Sequence, residues 1–539
     1  MPKEMREPSL PGGQSAPPAR LWGWLALLIT VVYAALALID LGSTNVPRTW
    51  YEPKQIGESF TIDLGSQRTP DRLYLFTGVG EGRYRVDISA DGQNWQPLAE
   101  AKRNVAFIWS WSVIRVVPPE TGALSGRYLR WTVTVPGEML FELAVTEATG
   151  APTAPPRNAG ADALPRGPDG LPWPGLPITG LKLVVPDAGD PLLANPERLK
   201  LIDEPGTFIY YPDPTHDMVF DEVYHARTAW EHLNQQEPYE WTHPPLGKLI
   251  IAVGIAALGM DPLGWRLPGV LFGIAMLPLI YLFARRLFGN PAWALVAELL
   301  FALDFMHFTQ SRLGTVDVFM VFFLLVLLAA FWRWYHSMRE SSANPGLSTY
   351  AWLVLAGIAF GLGAATKWNA LYPGLGLAVL FFVALVGRIR RQGGGAWVIL
   401  TLVAAVVAFI VLPLGIYYAS YLPYFQVPGH QGGWAEVWDW QQKMYAYHRD
   451  LNVSHDFASS WWQWPLLAKP VWYFTARDTM PSGLTATVAA FGNPAIWWMV
   501  FPALAAGAWR AWRQRDAVLA FLLSLIHISE PTRQRQPSR

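Results

Sequence analysis

The sequence contains no cysteine. It can therefore form no disulfide bond, no thiolate metal site and no cysteine nucleophile. Charge is also scarce, because Asp, Glu, Lys and Arg make up 15% of the chain, whereas soluble proteins contain about 25%. Basic and acidic residues number 41 each, so the chain lacks the basic excess of a nucleic-acid-binding protein. The composition excludes a disordered chain and indicates a protein that lies partly in lipid.

Long hydrophobic runs are abundant instead. About 20 apolar residues span a bilayer, and Leu21–Leu41 is the first such run. No small-residue cleavage site follows it, which predicts a membrane anchor preceded by a disordered N-terminus, residues 1–20. Later runs predict transmembrane helices at residues 267–283, 292–308, 316–331, 350–365, 371–386, 396–421 and 495–508, and a ninth begins near Ala517.

The charges between these runs predict their orientation. Every second connection is basic, and its arginines are Arg285, Arg286, Arg333, Arg339, Arg388, Arg390, Arg391, Arg510, Arg513 and Arg515. Cytoplasmic loops carry such an excess of Lys and Arg. The N-terminus is therefore predicted to be cytoplasmic, and two large loops, residues 42–266 and 422–494, are predicted to face outward.

The first outer loop begins with a predicted β-domain, residues 50–149. Stretches such as FTIDLG and RYLRWTVTV are rich in β-forming residues, and Asp91-Gly92 is typical of a hairpin turn. VDISADGQNW followed by GRYLRWTV resembles the discoidin-like, galactose-binding sandwich. Such domains bind sugars or lipids or serve as spacers, and no diagnostic ligand set is present here. Residues 150–215 form a Pro- and Gly-rich linker and a connecting segment.

Acidic and basic residues cluster in the outer segment 216–266. Asp221 and Glu222 are adjacent at the start of a helical pattern. Neighbours on a helix diverge by about 100°, so a symmetric catalytic pair is not expected. One could act as a base while the other positions a partner. The alternative is a charge pair favoured by the helix dipole. The apolar stretch after Lys248 is too short for a span and predicts an interfacial helix.

Two lone cations lie in turns that the charge pattern directs outward, Arg312 and Lys367. They are either snorkelling cations at helix ends or a paired cationic site for an anionic lipid headgroup. Four histidines (His216, His225, His232 and His243) lie close together, and Glu222-x-x-His225 has a spacing that permits metal binding. Because no zinc spacing such as HExxH occurs, no metal site is predicted.

Seven motifs occur in one order: FDEVYHARTA, THPPLGKLIIAVG, GWRLPGVLFG, DFMHFTQSRLGTVDVFMVFF, GAATKWNALYPG, YHRDLNVSHDFASSWWQWP and FGNPAIWW. They resemble the protein O-mannosyltransferase family (glycosyltransferase family 39, GT-C fold), particularly its bacterial members. The discoidin-like insert is not part of the family's common core, and the β-trefoil domain of eukaryotic members is absent. The C-terminus is also short of the family's usual eleven spans. The resemblance implies a polytopic α-helical membrane protein of the GT-C fold. The hydrophobic runs and the predicted β-domain give this chain eight or nine of those transmembrane helices and an extracytoplasmic β-sandwich inserted in the first outer loop.

The resemblance also implies a reaction and the residues that serve it. A sugar, usually mannose, passes with inversion from a polyprenyl phosphate to a Ser or Thr hydroxyl of an exported protein, and no other cofactor is expected. The family's acidic motif falls on Asp221, the expected general base, and Glu222, which orients the acceptor or a basic neighbour. The expected donor phosphate ligands are Arg312, Lys367, Arg266 and His243. Asp317 is expected to pair with a basic residue near the membrane.

Acceptor or sugar contacts are expected from the second outer loop and the histidine cluster: His225, His448, His455, Trp461 and Trp462. An interfacial tryptophan belt is the alternative for the tryptophans. Two other functions remain open. The acceptor could be a lipid or cell-wall glycan, or the chain could be a transporter or sugar receptor. The absence of internal repeats disfavours a transporter.

The C-terminal end has an unusual composition. SLIHISEPTR (Ser524–Arg533) resembles a translated sequencing adapter, and residues 524–539 are predicted to be non-native. Residues 495–523 are predicted to form the eighth helix and the start of the ninth. The natural chain is therefore expected to continue with further spans.

Overall fold

The computed structural model describes residues 19–102, 108–117, 123–147, 177–184, 200–209, 213–341, 343–451, 459–475 and 485–514. The described part is mostly helical. Its α-helices are α1 (Ala19–Leu38), α2 (Glu222–Leu233), α3 (Leu246–Leu258), α4 (Pro262–Phe288), α5 (Pro291–Ala302), α6 (Phe305–Ser311), α7 (Asp317–Glu340), α8 (Leu347–Thr366), α9 (Pro373–Gln392), α10 (Ala396–Val406), α11 (Leu412–Ala419), α12 (Trp434–Asp450) and α13 (Pro494–Gln514).

Six of the described helical segments are long and apolar enough to cross a membrane. They are Arg20–Leu38, Pro262–Phe288, Asp317–Glu340, Leu347–Thr366, Trp368–Gln392 and Ala396–Gln426. The last of these joins α10 and α11 through a π-helical turn, Val407–Val411. The predicted span 495–508 lies in α13, which is not among these segments, and the predicted ninth span lies outside the described residues.

The predicted continuous span 292–308 is wrong in one respect, because the chain bends by 62° between α5 and α6. Asp304 lies at the bend and accepts a hydrogen bond from the backbone N–H of His307, so it caps the new helix. Its carboxylate also accepts hydrogen bonds from the backbone N–H of Asn493 and the indole of Trp497, at 3.0 and 2.9 Å. The polar residue within this apolar run therefore divides it into two helices.

Local sequence explains where the long helix α4 begins and ends. Asp261 accepts a hydrogen bond from the backbone N–H of Gly264, and Pro262 occupies the first helical position. At the other end, Arg285 and Arg286 lie in the last turn, and Gly289 has a φ of 67°. Only glycine adopts that conformation without steric cost. Asn290 and Pro291 then start α5 immediately, with the Asn290 side chain accepting from Ala292.

Between α1 and α2, the described residues form eight antiparallel β-strands: β1 (Ser59–Arg68), β2 (Pro70–Thr77), β3 (Arg83–Ser89), β4 (Gln96–Lys102), β5 (Ser110–Arg115), β6 (Gly126–Val135), β7 (Leu140–Glu147) and β8 (Lys182–Val184). They form a five-stranded sheet in the order β4-β3-β6-β1-β8 and a three-stranded sheet in the order β5-β2-β7. One set of buried side chains from both sheets forms a shared core, which includes Ile62, Leu75 and Trp131. The likeness of this unit to a discoidin-like domain stays a prediction.

The two sheets formed by β1–β8, called the β-unit below, contact the helical part of the protein. Trp109 lies 5.2 Å from Trp230 of α2, ring to ring. Arg48, between α1 and β1, pairs with the buried Asp261 at the start of α4. In the second outer loop, α12 is followed by a short hairpin of β9 (Val471–Thr475) and β10 (Thr487–Ala490). The first outer loop thus contacts both α2 and the start of α4.

Candidate active site

Asp221 lies directly before α2 and is held there by an unusual backbone. The preceding residue, Phe220, has a φ of 53°. An aromatic residue in the left-handed region is uncommon and costs conformational energy. The Phe220 ring lies 4.4 Å from the Tyr473 ring of β9, measured between centroids. The strained residue therefore places Asp221 at the helix start and packs against the second outer loop.

The Asp221 carboxyl lies in an environment that disfavours its charge. Burial, followed by the neighbouring carboxylate of Asp317, raises the pKa of Asp221 to about 7, although the Lys367 ammonium acts in the opposite direction. Among the described residues, no hydrogen bond to the Asp221 side chain is formed. A carboxylate with a pKa near neutrality is suited to accept a proton.

Lys367 and Asp317 form an ion pair beside Asp221. The Lys367 ammonium donates to the Asp317 carboxylate at 2.8 Å, and both side chains remain partly exposed. Burial, the largest single influence, would lower the pKa of Lys367, but the carboxylates of Asp317, Asp221 and Glu240 together outweigh it and raise the pKa. The next residue, Trp368, is anchored by a hydrogen bond from its indole to Tyr417 at 3.1 Å. Lys367 is thus a fixed cation, and the pairing expected for Asp317 is formed.

Glu222 points away from Asp221 into the protein. Its carboxylate is fully buried and receives two hydrogen bonds from Arg266, both at 2.7 Å. It also accepts from the backbone N–H groups of Val219 and Gly314, at 2.7 and 2.8 Å. The two adjacent acidic residues therefore have different roles, as expected from their divergence on a helix. Glu222 positions a basic neighbour, namely Arg266.

Arg266 is buried and fully engaged by the protein. Besides Glu222, it donates to the backbone carbonyls of Leu41, Pro214 and Asp217, at 3.0, 2.6 and 2.8 Å. A guanidinium carries five N–H groups, and these contacts use all five. The contacts favour a structural role for Arg266 over the predicted phosphate contact. It connects the end of α1, the segment before α2 and the start of α4.

Arg312 contacts α1 rather than Lys367. Its guanidinium donates to the carbonyls of Ile39 and Asp40, at 2.5 and 3.0 Å, and lies 5.0 Å from the Phe308 ring. Cations near a helix C-terminus satisfy its free carbonyls. Burial, together with the nearby charge of Arg266, lowers the pKa of Arg312. The predicted direct pairing of Arg312 with Lys367 is not formed, since each cation is bound to a different helix end.

A buried ionic cluster supports the loop behind the site. The ammonium of Lys248, which is completely buried, donates to the Glu240 carboxylate at 2.6 Å and to the carbonyls of Glu240 and His243. Burial opposes ionisation of Glu240, but Lys248 and a hydrogen bond from His243 hold its pKa well below the usual range. Glu240 and Lys248 were not singled out from the sequence, since a lone Glu and a lone Lys eight residues apart form no motif.

The histidines predicted to contact a ligand differ in exposure, because His225 is buried whereas His243 and His448 are not. His225 is buried, and burial lowers its pKa to about 3, so it is neutral and shielded from ligands. This favours a packing role over a sugar contact. His243 is partly buried between His225 and His448, with ring centroids 5.7 and 5.9 Å away. His448 is exposed and contacts the Thr242 carbonyl at 2.9 Å. Glu222 binds Arg266 instead of forming a ligand pair with His225.

The other predicted contacts lie in the second outer loop. Trp462 is half exposed. Trp461 begins the 3-10 turn Trp461–Gln463, and His455 lies outside the described residues. Tyr473 was missed by sequence reasoning, although it lies against Phe220 and accepts a hydrogen bond from Gln310 at 2.5 Å. No sequence signal could have found it, because only the tertiary fold brings β9 next to α2.

Two family models match the chain in consecutive regions. Residues 259–427 match the model for dolichyl-phosphate-mannose-protein mannosyltransferase. Residues 433–524 match the model for the C-terminal four-helix transmembrane region of protein-O-mannosyltransferase. In these two regions the chain is similar to the protein mannosyltransferase family. Lys367, Asp317 and Arg312 lie within the first matched region, whereas Asp221 and Glu222 precede it.

Curated relatives of this protein include bacterial and vertebrate mannosyltransferases. The polyprenol-phosphate-mannose–protein mannosyltransferase of Mycolicibacterium smegmatis is 29% identical over 356 residues, which cover 55% of this chain and 67% of the relative. That of Mycobacterium tuberculosis is 28% identical over 359 residues, covering 57% and 68%. The chain thus spans about two thirds of these relatives.

A solved structure is also similar. The S. cerevisiae protein O-mannosyltransferase Pmt1-Pmt2 complex bound to the sugar donor has a TM-score of 0.36 and 23% identity, over 39% of this chain and 30% of that one. That likeness is too low to carry an argument about the site.

Proposed function

We propose that this protein transfers mannose from a polyprenyl-phosphate carrier to Ser or Thr hydroxyls of polypeptides. The observation that carries the proposal is the position of Asp221, whose partly buried carboxyl lies in the electrostatic field of the Lys367–Asp317 pair. A base next to a fixed cation suits a reaction that removes a proton at one end and releases an anion at the other. The family match supports a mannosyltransferase.

Asp221 is the general base in the proposed reaction. It takes the proton of the acceptor hydroxyl as the hydroxyl oxygen attacks the anomeric carbon of the sugar. The bond between that carbon and the phosphate oxygen breaks, and its electron pair stays on the phosphate. Attack on the face opposite the leaving group inverts the anomeric configuration. The pKa of Asp221, about 7, allows the base to be ionised near neutral pH.

Lys367 is proposed to bind the phosphate. Its ammonium has three N–H groups, and within the described part of the chain Asp317 is the acceptor that it contacts. The other two can donate to phosphate oxygens, where charge grows as the sugar leaves. Asp317 holds the flexible lysine in place while its own charge reduces the affinity for anions. Lys367 therefore stabilises the phosphate more strongly as its negative charge grows than it would stabilise a neutral ligand.

A cavity of about 630 Å³ beside the site is the proposed entrance for the acceptor. It lies between α2, the loop after it and α12, and its walls include Tyr239, Trp241, Tyr424 and Trp440. The charged groups at its rim are paired internally, as in Arg227 with Glu231 and Lys443 with Asp439. A neutral polypeptide segment therefore suits the cavity better than a charged one. Tyr239 stacks on Tyr224, one helical turn from Asp221.

The proposed membrane orientation places this site on the extracytoplasmic side. Three of the described spans have arginines in their last turns: Arg285 and Arg286 in α4, Arg339 in α7 and Arg390 and Arg391 in α9. Basic helix ends mark the cytoplasmic side. Asp221 and Lys367 lie at the opposite ends of these helices.

The test supplies membranes containing the protein with labelled polyprenyl-phosphate mannose and a Ser/Thr-rich peptide. We expect label in the peptide and a loss of about 10²- to 10⁴-fold in Asp221→Asn, the usual contribution of a general base. Asp450→Asn, an exposed carboxylate on α12, is the matched control and keeps full activity.

Two results would contradict the proposal. Full activity of Asp221→Asn would remove the general base. Label that enters lipid or glycan but not peptide would show a different acceptor for the same donor.

A further inference from the structure

Tyr473 brings a hydroxyl group from the second outer loop into the candidate site. It lies in β9, part of the hairpin that also contains β10. Its ring packs on Phe220, the residue before Asp221, with 4.4 Å between centroids. Burial, and then the carboxylates of Asp317 and Asp221, raise the pKa of Tyr473, so both of these carboxylates act on its hydroxyl. The hairpin therefore covers the side of the site formed by Asp221 and Asp317.

The hydroxyl of Tyr473 is oriented but not saturated. Gln310, near the end of α6, donates its side-chain amide N–H to the tyrosine oxygen at 2.5 Å. A phenol both accepts and donates. Since its oxygen accepts from Gln310, its proton points elsewhere, and no acceptor for it is found among the described residues. A half-buried donor that is fixed by a neighbour and lacks an acceptor is suited to bind an incoming anion.

We propose that the Tyr473 hydroxyl donates a hydrogen bond to a phosphate oxygen of the lipid-linked donor, so that the β9–β10 hairpin forms part of the phosphate site with Lys367. This inference rests on the proposed function and adds a residue from the second outer loop to it. The ligand chemistry is a phosphate ester at the membrane surface. Tyr473 keeps its proton throughout, because its only task is to stabilise the anion.

The hydrogen bond strengthens as the reaction proceeds. The donor is a phosphodiester with one negative charge. When the bond to the sugar breaks, its electron pair stays on the phosphate oxygen, and the acceptor proton goes to Asp221. The product is a phosphate monoester with a second negative charge. Hydrogen bonds to charged groups are stronger than neutral ones, so Tyr473 is expected to favour both the transition state and the product lipid.

Tyr473→Phe separates this role from simple packing. The substitution removes one oxygen and keeps the ring, so the contact with Phe220 is preserved. A packing role would survive the change, whereas the donor role would not. Tyr445→Phe is the matched control, because Tyr445 is an exposed tyrosine in the same outer loop.

The test measures binding of undecaprenyl phosphate and of uncharged undecaprenol to the full chain in detergent. We expect Tyr473→Phe to weaken binding of the phosphate roughly tenfold or more, the usual effect of losing a hydrogen bond to a charged group. Binding of undecaprenol should be unchanged, and Tyr445→Phe should match the wild type with both lipids. In the transfer assay, Tyr473→Phe should also lower kcat.

The outcomes distinguish this inference from the proposed function. If the wild type binds undecaprenyl phosphate and Tyr473→Phe binds it equally well, the inference is wrong and the proposed function stands. If Tyr473→Phe loses affinity equally for both lipids, Tyr473 has a packing role and the inference is wrong. If the wild type does not distinguish the phosphate from the alcohol, both are wrong.

Discussion

Asp221 and Glu222 are adjacent residues with the same functional group and opposite environments. Glu222 is saturated by Arg266 and two backbone N–H groups, which satisfy its charge. Asp221 receives no hydrogen bond from the described residues and is affected mainly by burial and by the Asp317 carboxylate. A carboxylate whose charge is satisfied is a poor base, which supports Asp221 rather than Glu222 as the proposed general base.

The pKa of Asp221 predicts the pH dependence of transfer. The base works as a carboxylate, and its pKa is about 7. Activity should therefore be low at pH 6, rise through pH 7 and level off above pH 8. The measurement is kcat/KM for the peptide across this range, which reports groups of the free enzyme. A flat profile between pH 6 and 8 would exclude Asp221 as the titrating base.

The rise of activity with pH is the acidic limb of the pH profile. The two charges next to Asp221 should shift this limb in opposite directions. The Asp317 carboxylate raises the pKa of Asp221, and the Lys367 ammonium lowers it. Asp317→Asn should therefore shift the limb to lower pH, and Lys367→Gln should shift it to higher pH. Lys367→Gln should in addition raise the KM for the lipid donor. Shifts of both variants in the same direction would show that the limb belongs to another group.

At the level of elements, the Glu222–Arg266 pair joins segments that are distant in the sequence. It connects α2 and α4, and through the Leu41 carbonyl it reaches the end of α1, 225 residues from Arg266. Both charges are almost completely buried. Removal of one partner from a buried pair leaves the other charge without compensation, which costs about 3–5 kcal/mol.

Arg266→Ala should therefore destabilise the protein strongly. Arg127→Ala is a matched control, since Arg127 grips Asp63 with two hydrogen bonds of 2.9 and 2.8 Å in an exposed pair of the β-unit. Exposed pairs contribute only about 0.2–1 kcal/mol. Thermal unfolding in detergent should show a large decrease in Tm for Arg266→Ala and a small one for Arg127→Ala. Equal decreases would contradict the structural role of Arg266.

The cavity beside α2 gives a second test at this level. Trp241→Ala removes an aromatic wall, but Trp440 keeps its hydrogen bond because its indole donates to the backbone carbonyl of Trp241 at 2.8 Å. We expect a higher KM for the acceptor peptide and unchanged binding of undecaprenyl phosphate. The variant and the wild type are compared in both assays. Weaker lipid binding with an unaltered peptide KM would assign the cavity to the donor instead.

Sequence patterns predicted individual helices better than the contacts between distant segments. The helix after Asp221 and the short apolar helix after Lys248 follow from local periodicity, and both are present as α2 and α3. Lys367 binds Asp317 across 50 residues, and Gln310 binds Tyr473 across 163. No local rule encodes such distances. Arg266 and Arg312 were expected at the phosphate as cations near the predicted outer face, but the carbonyls that accept their hydrogen bonds belong to distant segments.

For the whole molecule, the distribution of charge and the lack of cysteine permit a direct test of orientation. A single introduced cysteine is the only thiol in the chain, so a membrane-impermeant maleimide labels no other site. Gly394 lies in an exposed turn next to Arg390 and Arg391, with open space around its Cα. Ser460 is exposed in the second outer loop. The two positions lie on the predicted opposite sides of the membrane.

Ser460→Cys should react in intact cells, whereas Gly394→Cys should react only after the membrane is made permeable. The physical reason is the retention of basic loops in the cytoplasm, which fixes the direction of every span. The active site then faces the side where polypeptides emerge after export, and the lipid phosphate must be presented on that side. Labelling of Gly394→Cys in intact cells, with Ser460→Cys protected, would reverse the orientation and place Asp221 and Lys367 in the cytoplasm.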